Sequence, residues 1–283
     1  SFHIVDFSTL SPREARSYVE KHFASPEFVE SALPHALALS EDEQVSIMMV
    51  EEDHIREQVI LPGLALEEAF ARAVGVDDLL CGKLEIAFDE KLGYLTHCPT
   101  NIGTGMRASV MLFLPALAVT RKLAQVSTYL TKVGLTIRGL YGEGSEADGY
   151  LYQISNQITL GTSEEEIIRK LSEVISQIIT LEQNARKSLR NDNDDALTDR
   201  IMRAWGTLHY AHLMPSNECM KLLAAVRLGV AFGIITDIGY EKIGELMIHT
   251  LPATLMCDAG KDLGEHERDI ARAAYIRKEL AYE

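Results

Sequence analysis

The chain has 283 residues, 47% of them hydrophobic and 24% charged, the balance of an ordinary globular protein with enough length for about two domains. A formal net charge of −15 argues against broad binding to nucleic acid or to an anionic membrane, because such binding needs an excess of Lys and Arg. No apolar stretch reaches the roughly 20 residues that cross a bilayer, and the four cysteines lack zinc or disulfide spacing, so we expect a cytoplasmic protein.

The first part of the chain alternates between helical and strand-like patterns. Ser11 and Glu14 have capping-box spacing around Pro12 and predict a helix to about His22. The polar segment 51–56 separates two apolar runs and is interpreted as a functional loop between strands. The same patterns predict strands over 45–50, 59–61, 93–97, 108–114, 135–139 and 151–160, one bent helix or two helices over 66–88, and a helix over 116–132.

The second part of the chain is predicted to be helical. Thr162 and Glu165 have capping-box spacing, and an apolar stripe at helical spacing extends this helix to about Arg190. The polar run 191–195 has no apolar periodicity and is interpreted as a domain boundary. Further helices are predicted over 199–212, over 217–230 behind a Ser216 cap, over 240–250, and from 265 to the end.

Three polar segments carry the candidate chemistry: 51–56, 98–107 and 138–146. Taken singly, each is most simply a solvated loop. Taken together they offer carboxylates, guanidinium groups and a thiol, which suits a site that holds a cation beside a polyphosphate. These side chains are Glu52, Glu143, Arg56, Arg107, Arg138 and Cys98.

Four blocks of sequence carry a family resemblance. They are CPTNIGT at 98–104, EEDH at 51–54 with Arg56, RGLYGEGSE at 138–146, and ISN at 154–156 followed by LG at 160–161. In this order they resemble the phosphagen kinase family of creatine and arginine kinases. The resemblance implies an α+β fold, in which an antiparallel sheet flanked by helices forms a glutamine-synthetase-like catalytic core, with ATP and Mg²⁺ as ligands.

Within that family, the wording at 138–146 and at 156–160 most resembles the bacterial protein-arginine kinases. Metabolite kinases usually have another Arg in place of Tyr141 and a His in place of Gly144. The resemblance implies a catalytic domain over 1–190 and an all-helical domain over 191–283 for dimerisation and phosphoarginine binding. It also implies protein substrates that are phosphorylated on arginine and marked for a Clp-type protease, a homodimer, an activator protein and a Clp-family unfoldase as partner.

The family also implies a role for each candidate residue. A protonated guanidinium is a poor nucleophile, so the site must orient it and remove a proton as the N–P bond forms. By resemblance, Glu52 is the base and Glu143 the second clamp, while the Cys98 thiolate lies beside the non-reacting nitrogen. The same resemblance assigns ATP phosphates to three arginines and water-mediated magnesium to an acidic residue. These are Arg56, Arg107, Arg138 and Glu51.

The carboxyl-terminal segment RDIARA at 268–273 matches the phosphoarginine-binding motif of that branch. The resemblance implies that Arg268 and Arg272 grip the phosphoryl oxygens and that Asp269 takes the ligand's guanidinium. Without it, the pattern indicates an exposed charged helix face with Glu265–Arg268 and Asp269–Arg272 pairs, which add little to stability.

Three functions stay open on sequence alone: a protein-arginine kinase, a kinase of a small guanidino metabolite, and a noncatalytic phosphoarginine-binding module. The family's amino-terminal segment of the form SSRxRxxR, which adds contacts to ATP, has no counterpart in the sequence. We therefore expect the 283 residues to lack that part of the family's catalytic domain.

Overall fold

The computed structural model describes residues 1–139 and 148–281, with the backbone alone for 148 and 191–194. Its first sheet is antiparallel, in the order β1-β2-β3-β4. The strands are β1 (Phe2–Asp6), β2 (Ala36–Ser40), β3 (Val45–Met49) and β4 (Ile55–Val59). The helices α1 (Pro12–Glu20) and α2 (Pro26–Val29) cover it through a small core, whose fully buried members include Phe28, Leu37 and Met48.

The second sheet is also antiparallel, in the order β7-β9-β8. Its strands are β7 (Ser109–Phe113), β8 (Leu135–Gly139) and β9 (Leu151–Asn156). Between the sheets the chain forms α3 (Leu66–Cys81) beside β4 and a short hairpin of β5 (Phe88–Asp89) and β6 (Gly93–Tyr94). The helices α4 (Pro115–Val119), α5 (Leu123–Lys132) and the first half of α6 (Glu164–Tyr210) pack around this sheet.

The rest of the chain is helical. It consists of α7 (Ser216–Ala231), α8 (Tyr240–His249), α9 (Pro252–Asp258) and α10 (Glu265–Leu280), which pack with the second half of α6. Gly229 of α7 has no room for a side chain, because a Cβ there would lie 2.6 Å from Ile201 of α6. This close approach fixes α7 on the long helix.

Contacts between the sheet-bearing part of the chain, up to Asn156, and the carboxyl-terminal helices α7 to α10 also run through α1. The Glu20 carboxylate accepts hydrogen bonds from the backbone N–H groups of Ala253 (2.9 Å) and Thr254 (2.7 Å) at the start of α9. Arg13 donates to Asp262 at 3.1 Å. The two parts are therefore joined by α6 and by the packing of α1 against α9.

The predicted α+β class followed by helices is confirmed, and the α1 capping box at Ser11 and Glu14 is present. Several element boundaries were wrong. Ile55 and Arg56 belong to a strand, and residues 66–81 form one helix despite Gly75. The helix predicted over 116–132 is divided in two, because Arg121 adopts a left-handed φ of 56°.

The helix predicted to end at Arg190 does not end there. α6 continues through the polar run 191–195 to Tyr210, and it begins behind Ser163, whose side chain accepts from the Glu166 N–H, and not at Thr162. A polar run can stay helical when the apolar stripes on either side of it are buried. The division into domains at residue 190 stays a prediction.

Candidate active site

The tight turn between β3 and β4 holds the first cluster of acidic residues. Val50 has a left-handed φ of 69°, a conformation that is costly for a β-branched side chain. Its N–H donates to the His54 carbonyl at 2.9 Å, and the Glu51 N–H donates to the Asp53 carbonyl at 3.1 Å. The strained turn leaves Glu52 exposed at its tip.

Glu51 lies beneath this turn with only 7% of its side chain exposed. One carboxylate oxygen accepts from the Ser25 hydroxyl at 2.6 Å and from Arg56 at 2.8 Å, and the other accepts from the Glu52 N–H at 3.0 Å. Burial alone raises the pKa of Glu51, but the hydrogen bonds from Ser25 and Glu52 and the Arg56 charge outweigh it, so its pKa lies below the ordinary value. Glu51 is therefore a carboxylate at neutral pH.

The turn is joined to the second polar segment by one hydrogen bond. The His97 N–H donates to the Asp53 carboxylate at 2.6 Å, across 44 residues of sequence. Glu52 precedes Asp53 in the chain, and Cys98 follows His97, so both candidates are direct neighbours of the bonded residues. The two predicted catalytic segments thus meet in the structure.

Cys98 begins a loop that is held by backbone contacts. Its side chain is partly exposed, which does not fit a buried filler, and its sulfur lies 3.0 Å from the Thr100 hydroxyl. Gly103 has a φ of 112°, and a Cβ there would lie 2.1 Å from the Thr159 carbonyl. Glycine is needed at this position because the loop backbone passes directly against the segment after β9.

Arg107 follows this loop and is fixed by the end of β9. Its guanidinium donates to the Ser155 hydroxyl at 3.2 Å. The Asn156 side chain accepts from the Ala108 N–H at 2.8 Å and donates to the Met106 carbonyl at 3.1 Å, so it binds the backbone on both sides of Arg107. Asn156 is buried, and it therefore holds the arginine at a defined place beside the sheet.

The three predicted phosphate-binding arginines come together around Arg107. Partial burial of its guanidinium, together with the nearby positive charges of Arg138 and Arg56, lowers the pKa of Arg107. Arg138 lies exposed on β8, and Arg56 lies on β4 with 45% of its side chain exposed. Accessible guanidinium groups that repel one another form a site that an anion such as a polyphosphate would stabilise.

In the described part of the chain, magnesium would have to be held mainly by ligands other than protein side chains. No group of three or more His, Cys, Asp or Glu side chains in residues 1–139 and 148–281 could hold a metal ion. Glu51 already accepts three hydrogen bonds, so it suits an outer, water-mediated contact. Magnesium typically keeps several waters and binds through substrate phosphates. Glu143, the predicted second clamp, lies outside the described residues.

The carboxyl-terminal motif is placed differently from an exposed helix face. Arg272 is only 1% exposed, and its guanidinium donates to the carbonyls of Thr250 (2.8 Å) and Met214 (2.7 Å) and to Asp269 (2.8 Å). Arg268 is partly exposed and donates to the Leu263 carbonyl at 2.8 Å. The Asp269–Arg272 pair is present, but Arg272 lies inside the fold, where it joins α10 to the segments at Met214 and Thr250, so the exposed helix face was wrong for this residue. A contact between Arg272 and a phosphoryl group stays a prediction.

Sequence reasoning left some positioning residues without a role. Ser155 and Asn156 stood in a recognised block but had no assigned contact, and Asp53 had no assigned role in the site. The segments that they join are far apart in the chain, and no local pattern records such a contact. The strongest available signal was that Asp53 shares a block with Glu52 and that Ser155 and Asn156 stand in another block that carries the family resemblance.

Within the described part of the chain, no helix combines the length and the apolar character needed to span a membrane.

Comparison with solved structures supports the same fold. Lombricine kinase matches with a TM-score of 0.55 and 26% identity, over 65% of this chain and 54% of that chain, so the match spans about half of the lombricine kinase. The duplicated taurocyamine kinase of Schistosoma mansoni, solved with bound transition state analog components, matches with a TM-score of 0.59 and 20% identity, over 87% of this chain and 33% of that one.

Comparison of sequences identifies the family. The family model described as ATP:guanido phosphotransferase, C-terminal catalytic domain, matches residues 1–185. The one described as protein-arginine kinase McsB C-terminal domain matches residues 194–283. The protein-arginine kinase of Pelotomaculum thermopropionicum is 51% identical over 272 residues, which are 96% of this chain and 76% of that protein. The chain therefore belongs to the ATP:guanido phosphotransferase family, in the branch that carries the McsB C-terminal domain.

Proposed function

We propose that this protein transfers the γ-phosphoryl group of ATP to the guanidinium groups of arginine side chains in proteins. The observation that carries the proposal is the cluster of Arg56, Arg107 and Arg138 beside the Asp53–His97 hydrogen bond. That arrangement sets an anion-binding surface next to a carboxylate and a thiol. The relative named protein-arginine kinase, 51% identical, supports a protein acceptor.

In the proposed reaction, a guanidinium nitrogen attacks the γ-phosphorus of ATP. The N–P bond forms, the bond between the γ-phosphorus and its bridging oxygen to the β-phosphate breaks, and ADP leaves. Glu52 takes the proton that the nitrogen loses, and Cys98 lies beside the nitrogens that do not react. The arginines hold the phosphates in line. Glu51 would hold magnesium through water, and magnesium bound with ATP would supply neutralisation of the phosphate charge.

The acceptor decides between the open functions. Full-length protein would be incubated with Mg-ATP and either an unfolded arginine-containing protein, free arginine or creatine. We expect acid-labile phosphate on the protein and none on the two small acceptors. The reverse result indicates a metabolite kinase. Phosphoarginine binding without transfer to any acceptor indicates a noncatalytic module.

Glu52→Gln tests the assignment of the base. We expect turnover to fall by at least about a hundredfold, because the amide cannot accept the proton, while ATP affinity stays within about twofold. Single-turnover kinetics and calorimetry with ATP measure the two quantities. An unchanged kcat removes Glu52 from the mechanism.

We also propose that the helical half binds phosphoarginine through Arg268 and Asp269, with Arg272 holding Asp269 from inside the fold. The proposal is supported by the match of residues 194–283 to the McsB C-terminal domain and by the partial exposure of Arg268 and Asp269. The proposed assembly is a homodimer that acts on proteins in the cytoplasm, with an activator protein and a Clp-family unfoldase as partners. The free cysteines of the described chain fit a reducing compartment.

Calorimetry with a phosphoarginine peptide tests this second site. We expect Arg268→Ala to weaken binding by at least about tenfold, because a charge-assisted contact to phosphate is lost. Lys278→Ala removes a charge from the same helix, three turns away from the motif's start, and should leave the affinity unchanged. Equal affinities of the wild type, Arg268→Ala and Lys278→Ala would contradict the assignment of this site.

A further inference from the structure

The hydroxyl group of Ser25 connects the hydrophobic core to the acidic turn. Ser25 is the N-cap of α2, and its oxygen accepts a hydrogen bond from the Phe28 N–H at 3.0 Å. The same hydroxyl donates to Glu51 at 2.6 Å. A serine hydroxyl has one proton and two lone pairs, so the cap directs that single proton towards the carboxylate.

Ser25 is itself held in place by packing. Phe28 is fully buried and lies edge-on to Phe7, with 5.0 Å between the ring centroids. The cap therefore stands on a part of the structure that cannot move without disturbing the core. A donor fixed in this way can set the position of the group that it binds.

The group that Ser25 binds in turn holds an arginine of the phosphate site. The oxygen of Glu51 that accepts from Ser25 also accepts from Arg56 at 2.8 Å. Glu51 is nearly buried, whereas Arg56 is about half exposed, so the arginine is free to meet a ligand on its open side. The order of contacts is thus core, Ser25, Glu51, Arg56.

We propose that Ser25 is a positioning residue for nucleotide binding, acting through Glu51 on Arg56. The inference rests on the proposed function, in which Arg56 contacts an ATP phosphate. Ser25 touches neither substrate nor reacting atoms. Its effect is to keep Glu51 and Arg56 in a single arrangement before ATP arrives, so that no binding energy is used to order them.

Substitutions at Ser25 separate this role from simple helix capping. Ser25→Thr keeps both the cap and the donor. Ser25→Asp keeps the cap, because Asp is as good an N-cap as Ser, but it cannot donate and sets a negative charge against Glu51. A residue that matters only as a cap tolerates Asp, whereas a positioning residue does not.

The measurements are the KM and Kd for ATP and the kcat of the full-length protein, with thermal unfolding as the check on folding. We expect Ser25→Asp to raise both KM and Kd about tenfold with a smaller change in kcat, and Ser25→Thr to stay within about twofold of the wild type. In a Glu51→Gln background the repulsion is absent, so adding Ser25→Asp should change the Kd less than about twofold. Wild-type ATP affinity in Ser25→Asp, or an equal effect in both backgrounds, would overturn the inference.

Arg56→Ala distinguishes failure of this inference from failure of the proposed function. If Arg56→Ala weakens ATP binding and Ser25→Asp does not, only the positioning role of Ser25 is lost. If Arg56→Ala leaves the Kd for ATP unchanged, Arg56 does not bind a phosphate, and both the site assignment and the inference are wrong.

Discussion

The chemistry of the candidate site depends on guanidinium groups that are held near one another before a ligand is present. Arg107 is the centre of this set, because partial burial and the charges of Arg138 and Arg56 lower its pKa and because its guanidinium donates to Ser155 of the sheet. Holding like charges together costs free energy in the absence of an anion. A bound polyphosphate would relieve that cost, so the arrangement favours highly charged anions over weakly charged ones.

Arg107→Lys tests this at the level of one residue. We expect ATP affinity to fall about tenfold and kcat to fall as well, because a single ammonium cannot replace a planar guanidinium that meets Ser155 and a phosphate together. Calorimetry and steady-state kinetics on the same preparation give both numbers. The exposed Arg169 lies on α6 and pairs with Glu173 at 2.9 Å, so Arg169→Lys is the control, and equal behaviour of the two variants would contradict the assignment.

How far the sequence predicts the site depends on the kind of residue. Arg56 and Cys98 could be predicted because they stand in blocks whose wording is specific to the family, and Arg107 because it ends the polar segment that starts at Cys98. The Ser25–Glu51 and Asp53–His97 bonds could not, since each joins residues that are separated by more than 20 positions. Hydrogen bonds of this kind follow from the tertiary fold and have no local signal.

At the level of elements, strand β4 carries functional groups on both of its faces. Arg56 donates to Glu51. Glu57, the next residue, lies near Asp77 of α3, whose carboxylate accepts a hydrogen bond from the Tyr94 hydroxyl at 2.6 Å. Burial and the Asp77 charge raise the pKa of Glu57 to about 7. One Glu57 oxygen is buried without a hydrogen-bond partner among the described residues, which agrees with a carboxyl group that is protonated for much of the neutral range.

The raised pKa of Glu57 predicts a pH dependence of stability. Its ordinary value is 4.5, so between pH 4.5 and about 7 the folded protein binds more protons here than the unfolded chain does, and stability from this group falls as pH rises. Glu57→Gln should remove the dependence and raise the free energy of unfolding at pH 8 by about 1 kcal/mol, a figure reduced for partial exposure. Urea unfolding at pH 5.5, 7 and 8 measures it, with the exposed Glu67→Gln as control. A wild-type slope in Glu57→Gln would contradict the prediction.

The start of α1 was predicted from the sequence, whereas the end of α6 was not. The α1 cap is a local interaction between Ser11 and Glu14, and it can therefore be predicted from the sequence. The continuation of α6 past residue 190 depends on burial of Ile201 and Leu208 against α7 and its neighbours, which only the tertiary structure provides. The strands β1 and β2 were missed for the same reason, since their register is set by pairing with each other and with β3.

Arg272 has a structural role between elements that predicts its effect on stability. Removing its side chain leaves the Thr250 and Met214 carbonyls without their donor and Asp269 without its charge partner. We expect Arg272→Ala to lower the free energy of unfolding by about 3 kcal/mol, and Arg268→Ala, which loses one carbonyl contact, by about 1 kcal/mol or less. Urea unfolding at one pH compares the two. Similar losses for both variants would show that the burial of Arg272 contributes little.

At the level of the whole molecule, the sheet-bearing part of the chain and its carboxyl-terminal helices are connected at several places, two of which involve α6 and α1. One is the continuous helix α6, and the other is the packing of α1 on α9, where Glu20 accepts from two backbone N–H groups and from the Thr254 hydroxyl at 2.8 Å. Thr254 is fully buried, so this contact lies inside the junction. The same α1 leads through Ser25 to Glu51, and the junction therefore lies close in the chain to the nucleotide side of the proposed site.

Glu20→Ala tests how strongly that junction holds the molecule together. The substitution leaves two N–H groups at the start of α9 without their acceptor and removes a negative charge from a helix N-terminus, which together should cost about 2 kcal/mol of unfolding free energy. Glu41 is exposed in a turn after β2, and Glu41→Ala should change stability by less than about 0.5 kcal/mol. Urea unfolding followed by circular dichroism gives the free energies, and hydrogen exchange locates the change. We expect faster exchange in α9 and at the carboxyl-terminal end of α1, because the side chain of Glu20, the last residue of α1, accepts from the first N–H groups of α9. Exchange confined to α9 alone would mean that the junction stabilises the helical half without supporting the catalytic one.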